Sequence, residues 1–96
     1  HLRFHGIGPR EPWSFGDEAE AIARRWLELR MRLVPYLHAT ARDAAATGLP
    51  VMRAMALAFP EDRIARGFET QFMCGEALLV APIIRAGGSA ELWLPD

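Results

Sequence analysis

Residues 17–47 carry the pattern that most limits what this chain can become. At about 100° per residue, Ile22, Trp26, Leu29, Leu33, Tyr36 and Leu37 fall on one side of a helix. Glu20, Arg24, Glu28 and Arg32 form a ladder at four-residue spacing on another side, each pair adding about 0.2–0.5 kcal/mol. The interleaved glutamates cancel the arginines, so this charged side reads as a solvated face. Asp17 followed by Glu20 predicts an N-cap with a carboxylate three positions on. Thr47-Gly48-Leu49-Pro50 predicts the stop, with glycine just past the end and proline beyond it. The expectation is one long helix over 17–47, kinked where Pro35 removes a backbone donor. Met31 and Val34 lie off the main stripe, which implies cover on more than one side.

Little else in the sequence could cover such a helix. Residues 1–16 hold Gly6, Gly8, Pro9, Pro12 and Gly16, which marks a loop, and Leu2-Arg3-Phe4 before it fits the tail of a strand. After Pro50 the period changes. Val51–Phe59 is an apolar run interrupted by Arg53, and Pro60-Glu61-Asp62 turns the chain. Residues 68–74 are ambiguous between helix and strand. Residues 77–84 predict a buried strand with an edge or bulge at Pro82, and 90–94 a further strand after the Gly87-Gly88 turn. Strand tail, loop, long helix and short strands do not make a self-sufficient core. With His1 in first place, the 96 residues are expected to be an excerpt of a longer chain, unstable or associating in isolation.

Composition removes several classes of function. The net charge of -1 does not supply the basic surplus that nucleic acid demands. The longest apolar stretch, 77–84, is too short to cross a membrane as a helix. The N-terminus has no basic-then-apolar leader, and a cytoplasmic location is expected. Cys74 is alone, so no internal disulfide forms, and it reads as a small buried hydrophobe. All eleven basic residues are arginine, which reads as coding bias.

The chemistry-bearing residues do not assemble into a site by spacing. His1 and His5 have a metal spacing only on a helix, and the glycines after them argue against one, so no metal is expected. Gly6-Ile7-Gly8 lacks the third glycine and helix start of a phosphate loop. Glu11, Glu18 and Glu20 could pair as carboxylates, yet two of them are explained by the helix start. His38 falls mid-helix and reads as structural or surface. No cofactor is implied.

Five spaced stretches nevertheless resemble one family. They are Arg3-Phe4-His5-Gly6, Arg10-Glu11-Pro12-Trp13, residues 29–37 (LRMRLVPYL), residues 47–53 and 59–62 (TGLPVMR and FPED), and residues 71–75 with 78–82 (QFMCG and LLVAP). In this order they resemble glycoside hydrolase family 31. The resemblance implies an α/β parent, a (β/α)8 TIM barrel followed by a β-sandwich. Residues 1–49 would be the last β/α unit of the barrel and 50–96 the start of the proximal C-terminal β-sandwich. His1–His5 would then end the eighth strand, at the face where such barrels carry their active sites.

Members of the family are retaining α-glycosidases that use one aspartate as nucleophile and another as acid/base. The resemblance places both upstream, so no catalytic residue is expected in this chain, and Asp17, Asp43, Asp62 and Asp96 are not candidates. His5 matches a substrate-binding histidine that hydrogen-bonds the sugar in the −1 subsite. Arg3 matches too, in a structural role beneath the site. Histidine-glycine followed by Arg-Glu-Pro-Trp looks more like the α-xylosidase branch, with α-glucosidase as the alternative. The implied partners are an oligosaccharide or α-glycoside substrate and the remainder of the barrel, and a homo-oligomer is compatible. A non-catalytic piece with a structural or interaction role, and a catalytically dead homologue, are the readings from other classes.

Overall fold

The computed structural model describes residues 6–84 and 87–95. The expected strand tail at Leu2-Arg3-Phe4 lies outside them. The chain divides into two compact units, His1–Tyr36 and Leu37–Asp96.

In the first unit, a loop leads into a 3₁₀ turn, Pro12–Phe15, and then into α1, Asp17–Arg32. Pro12 opens the turn, where its missing N–H is no loss. The Ser14 amide closes the turn on the Glu11 carbonyl at 2.9 Å, and the Ser14 hydroxyl donates to Glu11 Oε2 at 3.3 Å. The helix cap differs from the expected one. Gly16 is the N-cap and Asp17 is already the first helical residue. The backbone reverses at Gly16 with φ +91°, a conformation that an L side chain resists, so a glycine and not an aspartate stands there. Asp17, Glu18 and Glu20 still occupy the first turn, where the helix dipole favours their charge. The 3₁₀ turn packs against α1, and Ala23 is the buried apolar residue of the helix.

The expected single helix is two. α1 ends at Arg32, Leu33 is non-helical, and α2 runs Val34–Thr47. Pro35 is the cause. It has no N–H for the Met31 carbonyl, and its ring crowds that carbonyl. The chain tightens at Leu33, whose amide is shared between the carbonyls of Leu29 at 3.0 Å and Arg30 at 3.1 Å. Pro35 then sits in the first turn of a new helix, where no donor is needed. The predicted stop is present. Gly48 takes φ +79° and bonds the Ala44 carbonyl at 2.9 Å. Thr47 Oγ1 donates to the Asp43 carbonyl and accepts from the Leu49 amide.

Beyond Pro50 the second unit holds β1 (Met52–Ala54), α3 (Met55–Ala58), a 3₁₀ turn (Ala65–Gly67), β2 (Phe72–Cys74) and β3 (Leu78–Val80). The strands form one antiparallel sheet in the order β1-β2-β3, with Arg53 opposite Met73 and Met73 opposite Leu79. The β2–β3 hairpin turns on Gly75 at φ +67°, whose amide bonds the Val51 carbonyl at 2.8 Å. Pro60-Glu61-Asp62 turns the chain as read. Asp62 Oδ1 accepts from the amides of Ile64 (2.7 Å) and Ala65 (2.8 Å) and so starts the 3₁₀ turn. The core is small: Met55, Ala65 and Gln71 are almost fully buried.

Two expected strands come out differently. The one over 77–84 is only Leu78–Val80, half-buried, because Pro82 cannot continue the ladder. Residues 90–94 join no ladder. Trp93 is held instead by a side chain: its amide donates to Gln71 Oε1 at 2.9 Å, and its carbonyl accepts from Gln71 Nε2 at 2.8 Å. The Trp93 ring lies against Phe59, with centroids 4.7 Å apart and planes tilted by 59°.

Candidate functional site

His5, the one residue that sequence reasoning places at a sugar, lies outside the described residues, as do His1 and Arg3. The loop from Gly6 onward lies within them. Gly6 and Gly8 both take positive φ, +150° and +96°. A Cβ at Gly6 would stand 3.1 Å from Arg10 Nε and 3.2 Å from Arg10 Cδ. The glycine therefore lets the Arg10 side chain fold back over the backbone next to His5. Ile7 is wholly exposed, and Trp13 and Phe15 are exposed as well.

A groove of about 350 Å³ runs along α1 beside the 3₁₀ turn, lined by Pro12, Trp13, Arg24, Leu27, Glu28 and Met31. Its charge is largely paired, because Arg24 bridges Glu20 at 2.9 Å. That pair is exposed and contributes little. The groove has apolar walls, and its carboxylates are Glu20, paired with Arg24, and the exposed Glu28.

The other titratable residues do not converge. Asp17 and Asp43 are exposed, and Asp62 spends its carboxylate on two backbone amides. His38 is exposed, and Cys74 is half-buried within β2. Arg53 reaches the Pro50 carbonyl at 3.2 Å and Glu76 at 3.8 Å. Among the described residues no three His, Cys, Asp or Glu side chains are grouped to hold a metal ion. Gln71 is the residue that sequence reasoning passed over. The available signal was an amide placed directly before the apolar Phe72-Met73-Cys74.

Two family models match the chain. Residues 1–40 match the glycosyl hydrolases family 31 TIM-barrel domain, and residues 48–96 match the glycosyl hydrolase family 31 C-terminal domain. The alpha-xylosidase XylQ of Lactiplantibacillus pentosus is 41% identical over 98 residues, which cover 100% of this chain and 13% of that protein. A GH31 alpha-xylosidase from a soil metagenome, complexed with xylose, superposes with a TM-score of 0.85 at 41% identity, covering 93% of this chain and 13% of that one. The GH31 dextranase FjDex31A of Flavobacterium johnsoniae, complexed with isomaltotriose, superposes with a TM-score of 0.81 at 47% identity, covering 86% of this chain and 10% of that one. The chain thus spans roughly an eighth of the relatives it matches.

Proposed function

The chain belongs to glycosyl hydrolase family 31, and on that premise we propose that it is part of a retaining α-glycosidase that removes terminal α-linked sugars from oligosaccharides, α-xylosides first among them. The observation that carries the reading is the passage from one family model to the other at the end of α2. In this reading residues 1–49 close the catalytic barrel and residues 50–96 open the domain after it.

His5 is the residue of this chain that meets the sugar. It stands at the end of the last barrel strand and hydrogen-bonds hydroxyls in the −1 subsite. Such a bond accelerates the reaction to the extent that it strengthens as the ring flattens toward the oxocarbenium-like transition state. The nucleophile and the acid/base come from earlier barrel strands, so the 96 residues alone hydrolyse nothing. Gly6 and Arg10 serve the loop: the glycine leaves room for the arginine to cross, and the crossing stiffens the turn that follows His5.

The α-xyloside preference rests on His5-Gly6 with Arg10-Glu11-Pro12-Trp13, and on the likeness to XylQ and the soil-metagenome enzyme. A second reading, an enzyme for α-glucosides, is favoured by the 47% identity to a dextranase that is also known complexed with glucose. Xylose lacks the hydroxymethyl group that glucose carries at C5, and barrel loops outside this chain would read that difference.

The test is kinetic. In the full-length enzyme, His5→Ala lowers kcat/KM on an aryl α-glycoside by about 100-fold or more, with unfolding unchanged. The ratio of kcat/KM for aryl α-xyloside over aryl α-glucoside decides between the two substrates. Near-normal activity of His5→Ala removes His5 from the subsite.

A further inference from the structure

We propose that Gln71 is a register pin: its carboxamide locks the segment 91–95 against the sheet unit at the residue whose ring meets Phe59. A residue on a neighbouring antiparallel strand would hold Trp93 by accepting from its N–H and donating to its C=O. The Gln71 side chain supplies that same pair, at 2.9 Å and 2.8 Å. A carboxamide is one of the few side-chain groups that carry donor and acceptor side by side. Gln71 is 2% exposed, and its Nε2 also lies 3.6 Å from Met55 Sδ, the most deeply buried large side chain described. The pin is therefore rooted in the core and directly precedes β2.

Attachment of the segment is narrow. Trp93 is the one half-buried residue among 87–95, and Glu91, Leu92, Leu94 and Pro95 are exposed. Among the described residues, the amide pair and the ring of Phe59 hold it. The ring contact is specific to Trp93, whereas the amide pair restricts sliding to whole-residue steps. A slip of one residue would bring Leu92 or Leu94 to the pin and take the indole off the Phe59 ring. The pin recognises backbone and would accept any neighbouring residue, so the Trp93 ring on Phe59 selects the residue and the pin then locks it in place.

The experiment is amide hydrogen exchange on the full-length protein, corrected for intrinsic rates. Gln71→Met keeps length and volume but loses donor and acceptor. It is expected to speed exchange across 87–95 by about tenfold or more, while β2 and β3 change by less than about threefold. Gln71→Glu supplies a signature that packing cannot imitate. At about pH 5 a buried carboxyl keeps its proton and donates to the Trp93 carbonyl, so protection stays; at about pH 8 a carboxylate faces that carbonyl and protection falls. Phe59→Leu removes the ring contact alone and is expected to have the smaller effect. Unchanged protection in Gln71→Met, pH-independent protection in Gln71→Glu, or a larger loss in Phe59→Leu each overturns the proposal. If Gln71→Met fails to fold, Gln71→Glu at the two pH values decides.

Discussion

Within residues 6–36, the side-chain hydrogen bonds of Ser14 to Glu11 and of Arg24 to Glu20 span three and four positions. Within residues 37–95, Gln71 reaches Met55 sixteen positions back and Trp93 twenty-two positions ahead. The first region is built from neighbours in sequence and buries Ala23. Its large apolar side chains, Trp26 at 55% and Met31 at 70% exposure among them, remain on the surface. The second region closes a small core around Met55, Ala65 and Gln71 through contacts that no short window of sequence contains. A helix can thus be fully formed while its burial is still owed to other parts of a protein, whereas a three-stranded sheet exists only once its long-range partners have met.

Substitutions can break or sharpen this contrast. The largest effect is expected at Met55, since Met55→Ala empties the site of the largest fully buried side chain described and costs about 2–5 kcal/mol in urea unfolding of the longer protein. A cost below that of an exposed position would mean that the second region's core is not where its stability resides. Trp26 should behave differently in two settings. In the isolated chain, Trp26→Ser changes helicity by no more than about 0.5 kcal/mol, as at an exposed site; in the full-length protein it costs about 3 kcal/mol or more, as at a covered one. Equal effects in both settings would mean that nothing further packs on that face of α1.

A smaller loss is expected at Gly16. Gly16→Val forces an L side chain to φ +91° and destabilises α1 by about 1–3 kcal/mol, read from helical circular dichroism. Because nothing lies within 4 Å of a Cβ there, a null result would have to come from relaxation of the turn, and the strain account would fail. The smallest is Asp62→Ala, which frees the amides of Ile64 and Ala65 and costs about 1 kcal/mol; Asp62→Asn retains most of that, since its amide oxygen still accepts.

The same division governs what could be read in advance. The stop at Thr47-Gly48, the loop before α1 and the turn at Asp62 were legible, because each depends on residues within four positions. The cap was missed by one residue, as backbone reversal at Gly16 outweighed a good capping side chain at Asp17. The break at Leu33 was legible as a kink from Pro35 but not as a full division into two helices. At the candidate site, the expectation for His5 came from likeness to a family and not from spacing, since no second chemistry-bearing residue stands at a telling distance from it in the sequence.

Sequence by itself determined that residues 17–47 are helical, that Pro35 disturbs them and that they stop at Gly48, and it determined the family, whose two domain models flank residues 41–47. Tertiary structure alone decided that residues 55–58 leave the strand for a helical turn, and that 90–94 is held by Gln71 and joins no strand. The reason is one of range. Propensity, proline geometry and capping act within a turn of chain, whereas the pairing of β1 with β2 depends on backbone groups eighteen to twenty-two positions apart. No local pattern encodes that match.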